Sequence, residues 1–138
     1  MGATHSIAYK INYEDMLIAI KTKKTIINTL SETEQTCLIK NTINYKFEEK
    51  FINDNLKNLS CDIVIYGKNS NDDTVLKKYN QLKELGFTNV FIYTGGLFEW
   101  LCMQEIYGDD NFPTTGNDLD ILKYKSKSLF SNVELLKN

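Results

Sequence analysis

The sequence is short of the residues that mark several functional classes. It has one histidine (His5), one proline (Pro113) and three cysteines (Cys37, Cys61 and Cys102) in 138 residues. A single histidine in the N-terminal arm argues against a Cys-His or Ser-His catalytic pair. The cysteines are odd in number, far apart and include no C-x-x-C pair, which fits thiols in a reducing cytosol better than a disulfide scaffold. Their expected place is inside the fold. No spacing of His, Cys and Asp matches a zinc or calcium site, so neither metal nor cofactor is expected. No segment approaches the roughly 18 apolar residues of a spanning helix, and the N-terminus lacks the apolar run of a signal peptide. The expected location is cytoplasmic.

Charge is also nearly absent as a net quantity. Sixteen basic against eighteen acidic residues give −2, a balance that recommends neither nucleic acid nor an anionic membrane as an electrostatic partner. Lys21, Lys23 and Lys24 form only a local patch. The carboxylate pairs Glu48-Glu49 and Asp109-Asp110 fall on a polar helix face and in a turn, where solvation is their expected state. The length suits one domain, which buries roughly two thirds of the surface exposed by its unfolded chain and needs no metal or disulfide to hold it.

What is present is an alternation of strand and helix patterns. Asn12 followed by Tyr13-Glu14-Asp15 predicts a helix start, and Met16, Leu17 and Ile20 give that helix an apolar face. Residues 25–30 then read as a strand, so the chain is expected to begin helix, then strand. A second helix carries Phe47, Phe51, Ile52 and Leu56 on one side and ends near Asn58. The run Ile63-Val64-Ile65-Tyr66 suits a strand covered on both faces. After a polar loop, Val75, Tyr79, Leu82 and Leu85 fall at helical spacing. Gly86-Phe87 is a helix stop, residues 90–93 form another strand, and residues 97–107 a largely apolar helix. The alternation predicts a three-layer α/β fold: a mostly parallel central sheet of about four to five strands, with helices on both faces. Residues 1–10 read as an N-terminal arm, 6–116 as the domain, and 117–138 as a C-terminal tail with one amphipathic segment at Leu119, Ile121 and Leu122. The apolar tail residues, Leu129, Phe130, Leu135 and Leu136 among them, suit docking on the domain or on another chain.

Two stretches are diagnostic together. Gly86-Phe87 leads through Thr88 to Asn89-Val90, and Gly95-Gly96 is followed by Trp100 one helical turn later. This "GF-x-NV" and "GG-x-x-x-W" pairing resembles the rhodanese-like domain over roughly residues 6–108. The paired glycines allow a tight strand-to-helix turn, and Trp100 is expected to face the sheet. Upstream the resemblance is weaker, because rhodaneses have a strand ending in an acidic residue and an arginine, whereas here Asn28 stands with no arginine near it.

The resemblance implies where to look for chemistry. In sulfurtransferases of this family the residue directly after the central strand is a cysteine that carries the transferred sulfur as a persulfide, stabilised by loop amides and a helix N-terminus. Here that position is Gly67. The loop continues Lys68-Asn69-Ser70-Asn71-Asp72-Asp73, carries no arginine, and is about two residues longer than the usual sulfurtransferase loop. Asp72 or Asp73 is expected to cap the following helix and so to fill the anion position from within the chain. The expectation is a domain without sulfurtransferase chemistry that binds or scaffolds a protein partner of unknown identity. The alternative is a sulfurtransferase using a displaced cysteine, although none of the three is placed to share that helix N-terminus. A third reading has the loop bind phosphate or another small anion through Lys68, without chemistry. Finally, Met1-Gly2-Ala3-Thr4-His5-Ser6 fits the N-myristoylation pattern, with Gly2 as the acylated residue. One myristoyl chain gives only weak, reversible membrane contact, so a second contribution, such as Lys10 with the lysine cluster, is needed for stable peripheral attachment.

Overall fold

The computed structural model describes residues 8–131. Among them four strands, β1 (Tyr9–Ile11), β2 (Thr25–Asn28), β3 (Asp62–Tyr66) and β4 (Asn89–Tyr93), alternate with helices α1 (Tyr13–Lys21), α2 (Glu48–Asp54), α3 (Asp73–Glu84) and α4 (Gly96–Tyr107). The sheet order is β1-β4-β3-β2 and every pairing is parallel. The expected α/β architecture is therefore present, with four strands.

Period-two alternation sorts the strand residues between two cores. Ile26, Val64, Tyr66 and Tyr93 pack on one face with Met16 and Ala19 of α1 and Leu97, Trp100 and Leu101 of α4. Ile27, Ile63, Ile65, Val90 and Ile92 pack on the other with Val75, Tyr79 and Leu82 of α3, joined by Phe51 and Ile52 of α2. Because β3 and β4 are covered on both sides, their sequences read as nearly continuous apolar runs. Trp100 is fully buried and donates its indole N–H to the Pro113 carbonyl at 3.1 Å.

Local chemistry sets the helix ends. Asn12 caps α1 in a reciprocal capping box with Asp15. At the end of α3, Gly86 adopts φ +106 and donates to the Lys83 carbonyl while Phe87 donates to that of Leu82, the paired bonds of a Schellman stop.

Several boundaries differ from the sequence reading. A short strand, β1, precedes the first helix; three residues are too few for a periodic signal, and parallel pairing with β4 creates it. The second helix ends at Asp54, where the Asn55 side chain donates to the Phe51 carbonyl at 2.9 Å. Phe47, just before α2, and Leu56, just after it, are exposed. Glu48 is not simply solvated, since it pairs with Lys78 of α3, whereas Asp109 and Asp110 are exposed as expected. Cys37 is buried but Cys61 and Cys102 are only partly so.

The largest difference lies past residue 116. Residues 117–124, expected as part of a tail, fold back on the body: Tyr124 is fully buried and Ile121 packs against the α1–α4 core. The aromatic body of Tyr124 fills that core while its hydroxyl donates to Asp118 Oδ2 at 2.8 Å, so burial leaves no polar group unpaired.

Candidate functional site

The carboxyl ends of the strands in a parallel sheet are where such folds bind ligands. Three connections meet there: the stretch after β2, the loop 67–72 between β3 and α3, and the turn Gly95-Gly96 between β4 and α4. Gly96 has φ +67, and a Cβ there would stand 2.8 Å from Asn69 N and 2.9 Å from the Gly67 carbonyl oxygen. The first amides of α4 use this closeness. Leu97 N and Phe98 N donate to the carbonyls of Gly67 and Lys68, each at 2.9 Å. The start of the β3–α3 loop is thus pinned to the start of α4.

The loop closes around its own carboxylate. Asp72 is the N-cap of α3. Its Oδ2 accepts from Lys68 N at 2.8 Å and its Oδ1 from Thr74 N at 3.0 Å. The Thr74 hydroxyl lies 2.6 Å from Asp72 Oδ1 and 2.8 Å from the Thr29 hydroxyl. A carboxylate at a helix N-terminus satisfies amides that would otherwise face a bound anion. Of the two aspartates considered, Asp72 takes this position; Asp73 is the exposed first residue of α3, where its charge complements the helix dipole.

Gly67 is buried against this carboxylate. A Cβ at Gly67 would lie 2.5 Å from Asp72 Oδ2, 2.5 Å from Val75 Cγ2 and 2.9 Å from Thr29 Oγ1. The space a side chain would need is filled. Lys68 reaches the other way and pairs with Glu34 at 2.8 Å, and that contact is the main cause holding the Glu34 carboxyl below its usual range. Asn69 Oδ1 accepts from Asn71 N at 2.9 Å, while its amide donates to the Tyr124 carbonyl at 2.9 Å. Ser70 and Asn71 are exposed at the tip.

Two partners were not visible in the sequence. Asn28, buried at the end of β2, forms a reciprocal amide pair with Gln35: its Nδ2 donates to Gln35 Oε1 at 3.0 Å and its Oδ1 accepts from Gln35 Nε2 at 2.9 Å. A neutral pair stands where the resemblance implied an acid and an arginine, and all sixteen basic residues of the chain are lysines. The other missed partner is Glu34, in the short turn Glu32–Glu34 and part of no recognisable motif. No signal short of the folded loop would join it to Lys68.

The cysteines lie apart from the loop. Cys61 precedes β3, about 20 Å from Gly67 at the usual strand rise. Cys37 donates to the Gly116 carbonyl at 3.4 Å, and Cys102 lies on α4 beyond Trp100. Burial pushes all three thiols above their ordinary values. A thiol so shifted is less nucleophilic at neutral pH. No group of His, Cys, Asp and Glu suited to a metal occurs among the described residues, and none of the helices there is long and apolar enough to cross a membrane. Gly2 lies outside the described residues.

A parallel sheet clad on both faces, with a loop at the carboxyl end of β3 pinned to a glycine-pair turn after β4, defines the class of fold. The family model described as Rhodanese-like domain matches residues 13–102, more than half of the chain. The chain belongs to the rhodanese-like domain family. Among solved structures, the crystal structure of the Alr3790 protein from Anabaena sp. is similar with a TM-score of 0.58 at 18% identity, covering 82% of this chain and 97% of that one. The solution NMR structure of the rhodanese-like domain of the Anabaena Alr3790 protein gives 0.59 at 18% identity, covering 88% and 87%. At that identity the likeness is one of fold. No curated protein matches the chain.

Proposed function

We propose that this rhodanese-like domain is non-catalytic and acts as a binding or scaffolding module for a protein partner. The observation that carries the reading is the Asp72 carboxylate, which takes the Lys68 and Thr74 amides at 2.8 and 3.0 Å beside a buried Gly67. By the family resemblance Gly67 stands where a sulfurtransferase has its nucleophile, and glycine forms no persulfide. Even with a thiol supplied, the neighbouring fixed negative charge opposes both thiolate formation and approach of an anionic sulfur donor. Binding of phosphate through Lys68 loses its main support, since Glu34 engages that ammonium.

The test is thiocyanate formation from thiosulfate and cyanide by the purified chain. The expected rate is that of the uncatalysed solution. Turnover well above it, lost when Cys37, Cys61 or Cys102 becomes serine, would replace this reading with a sulfurtransferase using a displaced cysteine. A second component is reversible membrane attachment through an acylated Gly2, supported by the Met1-to-Ser6 pattern. Co-expression with an N-myristoyltransferase and intact-mass measurement decide it, and an unchanged mass sinks that component.

A further inference from the structure

The C-terminal segment concentrates exposed apolar side chains and lysines in one short stretch. Leu119 is 98%, Leu122 63%, Leu129 72% and Phe130 81% exposed. Four large apolar side chains left in water within twelve residues are a density that a solitary folded domain has no use for. Between them run Lys123, Lys125 and Lys127, and residues 121–131 contain no acidic residue. Residues 121–131 therefore carry +3, and residues 119–130 carry +2 with Asp120 counted, in a chain whose net charge is −2.

The segment is anchored. Tyr124 is buried, its hydroxyl bonds Asp118 at 2.8 Å, and its carbonyl accepts from Asn69 at 2.9 Å. The three lysines line one depression of about 740 Å³ together with Lys68, and Glu34, Asp72 and Asp73 stand in the same lining, so lysines outnumber carboxylates there by one. Lys123 is paired with Asp118 at 2.6 Å, whereas Lys125 and Lys127 have no ion pair among the described residues.

We propose that residues 119–130 form a contact site for an anionic lipid surface, with the exposed leucines and Phe130 entering the interfacial layer and Lys125 and Lys127 meeting the headgroups. The composition distinguishes this occupant from a protein. Protein interfaces are depleted in lysine at their centres, but a membrane surface rewards lysine through its negative potential and exposed apolar side chains through the acyl boundary beneath. The site supplies the second contribution that a single acyl chain needs, yet it does not depend on Gly2 being acylated.

The test is co-sedimentation of the unacylated full chain with vesicles of phosphatidylcholine alone and of phosphatidylcholine with phosphatidylserine. Binding is expected to the anionic vesicles only, falling as salt rises. Lys125→Ala with Lys127→Ala is expected to lower partitioning by about thirtyfold. Leu129→Ser with Phe130→Ser should weaken binding while leaving its salt dependence in place. The salt titration of the native chain reads the charge contribution without any variant. No binding to anionic vesicles at low salt, equal binding to neutral ones, or self-association in place of vesicle binding would each overturn the proposal. Because the protein is unacylated, such a failure says nothing against Gly2, and success stands even if Gly2 is never modified.

Discussion

At the turn from β4 to α4, a Cβ added to Gly96 would meet backbone: Asn69 N at 2.8 Å and the Gly67 carbonyl oxygen at 2.9 Å. At the turn from β3 to α3, a Cβ added to Gly67 would meet side chains: Asp72 Oδ2 and Val75 Cγ2, both at 2.5 Å, and Thr29 Oγ1 at 2.9 Å. Backbone cannot yield without moving a strand or helix, whereas side chains can be exchanged one at a time. The first turn belongs to the architecture of the sheet. The second is filled by side chains, so on the non-catalytic reading a change of filling alone would close off chemistry while the fold is kept.

The largest effect is expected at Gly96. Gly96→Ala combines a left-handed φ with a backbone clash, and about 3 kcal/mol of stability should be lost, measured by urea unfolding. Gly67→Cys should cost less, about 1–3 kcal/mol, because its obstacles are side chains. Pairing it with Asp72→Gly sharpens the point: a double-mutant cycle should show the two changes compensating, with a coupling well above the experimental error. Additive effects would mean that Asp72 does not fill the space beside Gly67. Asp72→Ala alone should cost about 1 kcal/mol through loss of the helix cap, and amide exchange at Lys68 and Thr74 should rise.

The smallest effect concerns Glu34 and Lys68, both partly exposed. Lys68→Ala should change stability by under about 1 kcal/mol. Its sign with pH follows from the depressed Glu34 carboxyl. The pair's contribution is present above the ordinary glutamate range and disappears as pH falls through the lowered folded value. The native chain and Lys68→Ala should therefore converge in stability in acid; a gap that widens there would contradict the pairing.

The half of the fold from β3 to α4 was legible because its signals are local. Ile63 to Tyr66 is a doubly buried strand written as a run of apolar residues, and Gly86 and Gly96 mark the φ values their turns require. Gly67 and the capping aspartate were legible for the same reason, since a cap acts within a few residues of the helix it starts. What escaped was built from distant pairs. β1 exists only by pairing with β4, Asn28 needed Gln35, and Lys68 needed Glu34. Tyr124 was assigned to a tail because burial of one aromatic against a helix from elsewhere in the chain leaves no period in its own segment.

The most direct measurement is the intact mass of the native chain after incubation with thiosulfate under non-reducing conditions and removal of the donor. A plugged, cysteine-free loop and three thiols raised by burial predict an unchanged mass. A gain of one sulfur atom, mapped by peptide analysis to Cys37, Cys61 or Cys102 and reversed by cyanide with release of thiocyanate, would show a working persulfide carrier and contradict the non-catalytic reading.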